Sequence, residues 1–279
     1  MRYISATTGA LIVLPVFILL ALIIPKHDSL PSVELILTVS TFLFAIISGF
    51  YIARLATRYD QIRNLIASED ASFLCLYKTA QMFGVTFAKR IANLIDAYYI
   101  VSYDFTLSHP AYKLSAKYYL AMWDEVRTVK KKEPSGAYEA LMDQLASIEN
   151  DRNASATIAT ERLSIAQWGM LILLSVIIFL SLFDLAQPHW YIQISVVLFS
   201  TILVLIILLT RDLQQLMLGG KTLLEESGQE VLEFIGKKRY YHQKFLQSGI
   251  SRVPVFVKEY RLGLHEPGTD TFKIKIVRR

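Results

Sequence analysis

The chain has 279 residues, 53% of them apolar and 19% charged, with a mean hydropathy of +0.39, which excludes a disordered or strongly solvated polymer. Twenty-nine Lys and Arg against 24 Asp and Glu leave a net charge of +5. The bases are spread among acids instead of forming one face, so nucleic acid is not expected as a partner. A single cysteine, Cys75, excludes an intrachain disulfide framework and a cysteine-based zinc site.

Four stretches, Tyr3 to Ile24, Val33 to Tyr51, Trp168 to Phe183 and Trp190 to Leu209, contain no Lys or Arg and one acid, Glu34. At 1.5 Å per residue, roughly 20 residues cross the ~30 Å hydrocarbon layer, and the third stretch reaches that length between Ile165 and Leu185. The first run exceeds the roughly 7 to 15 apolar residues of a signal peptide. Ile23, Ile24 and Pro25 offer no small-residue cleavage site, so this span is expected to be retained. Short connections, around Pro25 to Pro31 and around Gln187 and Pro188, predict two helical hairpins turning on the same side. Arg2, Arg54, Arg58, Arg63, Arg152, Arg162, Arg211 and Lys221 fall on one side of these spans and Lys26 on the other. The positive-inside rule then puts both termini and the central region in the cytoplasm, with the spans among membrane lipids. Tyr3, Tyr51, Trp168, Trp190 and Tyr191 mark the interfaces, where amphipathic rings sit.

The expected fold is an all-α integral membrane protein with four transmembrane helices in two hairpins, a cytoplasmic helical insertion and a small C-terminal β-hairpin. The divisions are residues 1–53, 54–166, 167–210 and 211–279. From Tyr51 an apolar stripe continues through Arg54, Leu55, Arg58, Ile62, Leu65, Ile66, Glu69, Phe73, Leu76 and Ala80 with no breaker before Gly84, which predicts one rod leaving the second span. Further helices are expected over Thr86 to Tyr103, from Ser108 with Pro110 in its first turn to Lys132, and from Ala137 into the third span. Glu133 to Gly136 reads as the loop between the last two. Arg211 to Leu218 and Lys221 to Ile235 read as helices separated by Gly219 and Gly220. Val255 to Leu264 and Phe272 to Val277 read as strands around Glu266, Pro267, Gly268 and Thr269, with a basic membrane-contacting tail ending at Arg278 and Arg279 as the rival interpretation.

The five histidines, His27, His109, His189, His242 and His265, show no metal-ligand spacing, so no metal site is expected. Phosphate-binding, dinucleotide, nucleophile-elbow and kinase motifs are absent from the sequence, and with no cofactor motif or intramembrane ionisable cluster an enzyme is not expected. Glu69 and Asp70 with Lys78 read as a solvated or interhelical charge set. Within the second span Thr38, Thr41, Ala45, Ser48 and Gly49 recur at steps of three and four. They either pack against another helix of the subunit or line a hydrated path in an oligomer. Phe42, Ile46 and Phe50 stand four apart on the neighbouring side, either as ordinary apolar surface or as a constriction that gates by dewetting. Arg54 and Arg58 follow at the end of the span, either as lipid-headgroup contacts or as a basic exit that raises local anion concentration.

Arg58 and Tyr59, then Glu69, Ala71, Leu74, Tyr77 and Ala80, then Arg211, Asp212 and Leu213, and last Ile235, Gly236, Tyr240 and Tyr241 together resemble a family of bacterial membrane proteins called bestrophin-like. The resemblance covers nearly the whole chain. It implies kinship with bestrophins, whose subunits form pentameric anion channels with a cytosolic helical vestibule, and Phe42, Ile46 and Phe50 are similar in spacing to the apolar neck of those channels. An acidic cluster suited to a calcium clasp is missing from the sequence. Two functions follow as expectations. One is an oligomeric, anion-conducting channel with second spans around its axis. The other is a non-conducting membrane scaffold or sensor whose helical domain binds a cytoplasmic protein partner.

Overall fold

The computed structural model describes residues 3–24, 31–107, 109, 114–129, 135–224, 226–269 and 271–279. Its helices are α1 (Ala6–Ile23), α2 (Pro31–Gln81), α3 (Val85–Tyr103), α4 (Ala116–Arg127), α5 (Ser135–Ala159), α6 (Ile165–Asp184), α7 (Trp190–Gln214), α8 (Gln229–Phe234) and α9 (Gln243–Ser248). Strands β1 (Tyr240–His242), β2 (Glu259–Gly263) and β3 (Ile274–Arg278) complete it. Four helices, α1, α2, α6 and α7, are long and apolar enough to cross a membrane. The chain divides into two compact units, one of residues 4–59 and 162–220, the other of residues 60–161 and 221–279 with Tyr3.

In the first unit, Phe44, Tyr51 and Leu55 of α2 pack with Leu171 and Ile178 of α6 and Leu203 of α7. Phe17 and Ala21 of α1 pack on Val197, with Phe179 and Phe183 beside them. Lipid is as apolar as these side chains, so close van der Waals approach must hold such helices together. Gly9 shows how close: a Cβ there would stand 2.6 Å from Leu208 Cδ1. The ends are capped. Ser5 Oγ accepts from Thr8 N–H at α1, and Ser164 with Gln167 closes a capping box at α6, which satisfies N–H groups that no preceding turn can reach.

As expected, α2 runs unbroken out of its apolar section. Ser40, Phe44, Ser48, Tyr51, Leu55, Arg58, Ile62, Ile66, Glu69, Phe73, Leu76 and Ala80 are all buried, in steps of three and four that keep pace with the 3.6-residue turn. Gly84, at φ +100°, ends it, because a side chain there would be strained.

Several expected boundaries move. Ser135 and Gly136 open α5 instead of ending a loop, while Ser108, Pro110, Lys130 to Lys132, Glu133 and Pro134 lie outside the described residues. The helix expected to reach Leu218 stops at Gln214: Leu216 turns to φ +57° and Met217 N–H donates to Asp212 C=O at 2.9 Å. Of the helix expected over Lys221 to Ile235, only Gln229–Phe234 forms, because Gly228 sits at φ +69° and the preceding segment is held by non-helical contacts such as Thr222 N–H to Ile250 C=O at 3.1 Å. The C-terminal hairpin is real but shorter than expected: β2 and β3 pair antiparallel from Glu259↔Arg278 to Gly263↔Ile274. A third strand joins it, β1 lying parallel to β2. Within it Arg278 bonds Glu259 at 3.0 Å and Arg279 N–H donates to Lys258 C=O at 2.9 Å.

Candidate functional site

Along the apolar section of α2, the helix divides into two faces. One, centred on Phe44, Ser48 and Tyr51, is buried against α6 and α7. Of the five small residues, Thr38, Thr41, Ala45 and Gly49 are exposed and Ser48 alone is buried. A methyl added at Gly49 would meet no atom within 4 Å. Packing within the subunit therefore accounts for Ser48 but not for the other four. Thr38 and Thr41 border a groove of about 470 Å³ whose other walls include Phe44, Ile178 and Leu203. Their hydroxyls donate to Glu34 C=O at 2.8 Å and Leu37 C=O at 2.7 Å, which leaves hydroxyl oxygens, and no uncommitted O–H, facing outward.

Phe42, Ile46 and Phe50 are 66%, 55% and 66% exposed and are not part of the buried cluster that holds Phe44 and Tyr51. Arg54, at the end of the same section, is exposed as well. Arg58 is not: only 4% exposed, it turns inward and donates from Nη1 to Gln214 C=O at 3.1 Å. The basic pair thus splits, because one turn further on, α2's buried stripe reaches the position of Arg58.

The same unit uses polar groups in the last turn of α7 as ties. Gln214 Oε1 accepts from Leu163 N–H and from Trp168 Nε1, each at 3.0 Å. Asp212, 1% exposed, accepts from Ala6 N–H at 2.8 Å, a carboxylate on the positive end of α1. Arg211 bonds Asp212 at 2.7 Å and Ile4 C=O at 2.6 Å. Arg58 and the Arg211, Asp212 pair, which carry the resemblance noted above, are thus fastenings between chain segments.

In the second unit, Glu69 falls on the later, charged part of α2. Of the two expectations for this charge set, solvated or interhelical, Glu69 and Asp70 follow the interhelical one, bonding tyrosines of α3. Glu69 is 4% exposed and accepts from the Tyr98 hydroxyl; burial above all pushes its carboxyl up to about 8. Asp70 accepts from Tyr99 Oη at 2.7 Å, and from Ser227 Oγ and Gly228 N–H at 2.8 Å each, with burial raising its carboxyl too. A Cβ on Gly228 would fall 2.0 Å from Tyr99 Cε1, so the close approach requires glycine. Lys78 takes no part, its Nζ lying 5.1 Å from the centre of the Phe234 ring.

Two of the histidines are brought together. Parallel pairing sets His242 opposite Gly263, and His265 follows two residues later, so both rings meet Asp104 at the end of α3. His265 Nε2 is 3.2 Å from Asp104 Oδ2, and His242 Nε2 is 3.9 Å from Oδ1. Among the described residues this is the one group of three His, Cys, Asp or Glu side chains close enough to share a metal ion. No local spacing could have shown it, since only the pairing of β1 with β2 joins residues 23 positions apart.

A family model for the bestrophin-like domain matches residues 10–219. No curated protein matches the chain. Among solved structures, a bacterial bestrophin homologue from Klebsiella pneumoniae is 14% identical with a TM-score of 0.58, covering 81% of this chain and 98% of its own. Two point variants of that homologue give TM-scores of 0.59 and 0.57 at 13% and 14% identity, each covering 82% of this chain and 100% of its own. At such identities the likeness establishes the fold.

Proposed function

From the premise that this chain belongs to the bestrophin-like family, we propose that it forms a homo-oligomeric anion channel, a pentamer as the family resemblance implies, in the bacterial inner membrane. The observation that carries this reading is the two-faced α2: one side packs on its own subunit while Phe42, Ile46 and Phe50, with Thr38, Thr41, Ala45 and Gly49, are left uncovered. In a ring, this second side turns to the shared axis. The three large side chains form an apolar constriction that an ion passes only when it is wetted. The hydroxyl oxygens beside it offer acceptors, so an anion keeps its water there, and attraction comes from the exposed Arg54 at the mouth. Two helical hairpins, termini on the cytoplasmic side, and the unit of residues 60–161 and 221–279 as a vestibule complete the proposal, with the positive-inside asymmetry as support.

Chloride flux through proteoliposomes tests it. Phe50→Ala is expected to raise the flux several-fold by removing one ring of the constriction, and an unchanged flux contradicts the gate. A second reading, a non-conducting scaffold or sensor, is favoured by Met82 and Val85, which are 72% and 85% exposed where α2 gives way to α3 and would suit an apolar protein contact. An assembled oligomer that passes no salt at all decides for that reading.

A further inference from the structure

We propose that Asp104, His242 and His265 bind one first-row divalent transition metal ion, zinc foremost, which fastens the C-terminal sheet to the end of α3. The donor set is the first reason: two imidazole nitrogens and a carboxylate oxygen suit zinc, with a fourth position left for water. Spacing is the second. Donors at roughly 2.0 to 2.1 Å around a tetrahedral ion stand about 3.4 Å apart; here one donor atom from each of the three side chains lies within 4.8 Å of the others, with His265 Nε2 3.2 Å from Oδ2 and His242 Nε2 3.9 Å from Oδ1, so the side chains close in around the ion.

The third reason is charge. Asp104 is 2% exposed, His242 4% and His265 8%, and among the described residues the ion-pair partners of Asp104 are these two histidines, with no Lys or Arg. A cation between the three side chains compensates the charge of this buried carboxylate. Outer contacts already orient the carboxylate: Gly268 N–H donates to Oδ2 at 3.2 Å and Tyr240 Oη to Oδ1 at 3.4 Å, as expected around metal ligands. A cavity of about 10 Å³ borders His242 and Tyr240, room for about one water.

Two bonds oppose the ion. His242 Nδ1 accepts from Lys244 N–H at 3.2 Å, so Nε2 carries the ring proton and donates to His265 C=O at 3.0 Å; coordination through Nε2 moves that proton to Nδ1 and breaks both bonds. Two neutral hydrogen bonds are together much weaker than zinc coordination.

The full chain in detergent, stripped with EDTA and given back Zn²⁺ or Co²⁺, is expected to bind one ion per chain. Co²⁺ should show the visible absorption of a four-coordinate site, and zinc should raise the melting temperature. His265→Ala should weaken zinc binding roughly 100-fold or more, while the double variant His109→Ala, His189→Ala keeps it. Where His265→Ala fails to fold, the Co²⁺ spectrum of the unaltered chain decides by itself. Absence of that absorption, or a stoichiometry that falls with the double variant, overturns the proposal and leaves a buried hydrogen-bonded Asp–His pair.

Discussion

Arg54 and Arg58 are one helical turn apart and chemically identical, yet their surroundings assign them different tasks. The buried Arg58 holds the Gln214 carbonyl, whereas the exposed Arg54, in the channel proposed above, would act through its field on ions in water. Arg54→Ala is therefore expected to lower chloride flux several-fold at low salt, less at high salt where its field is screened, with little change in melting temperature. Arg58→Ala should instead lower the melting temperature by several degrees, because it strands a buried acceptor. Equal thermal losses in both variants would contradict this division. Glu69 supplies a pH test at the same scale. Its carboxyl keeps a proton in the folded chain up to about pH 8 but loses it near 4.5 when unfolded. The unfolded state thus binds fewer protons between those values, and stability is fully present below about pH 4.5 and declines as pH rises toward 8. Melting of the purified protein across this range should show the decline, and Glu69→Gln should flatten it; an identical slope in the variant would contradict the buried, protonated carboxyl.

At the scale of elements, the four apolar helices and the length of α2 could be read from sequence because each depends on about 20 consecutive residues and a local period. The stripe from Leu55 to Ala80 carried that reading past the membrane. What escaped was set by partners far along the chain: the inward turn of Arg58 toward Gln214, the tie of Asp70 to Ser227 and Gly228, and the strand β1, three residues held in place by a parallel partner that begins at Glu259. Thr222, Ser227 and Gly228 lie in a stretch of helical composition but bond other segments, and local propensity yields to those contacts. Two glycines test how the apolar helices meet their surroundings. Gly9 has Leu208 Cδ1 2.6 Å from its missing Cβ, while Gly49 faces open space. Gly9→Leu should destabilise the single subunit strongly. Gly49→Leu should leave its melting intact and reduce recovery of the oligomer on size exclusion, and a fully assembled Gly49→Leu protein would show that no neighbouring subunit approaches that face.

For the whole molecule, the central claim is that the uncovered side of α2 faces water on a shared axis instead of lipid. Sequence and structure approach it from opposite directions: composition marks the helix as membrane-spanning, and burial shows which of its faces the subunit leaves vacant. The exposed Cys75 is the only cysteine, so a Cys75→Ser background makes the most direct measurement simple. Ile46→Cys in that background is reconstituted in liposomes and treated from the water with a charged, membrane-impermeant thiol reagent while chloride flux is recorded. The account predicts that Cys at position 46 reacts and the flux is blocked. A thiol that stays unmodified while chloride continues to flow would place Ile46 in lipid and contradict it.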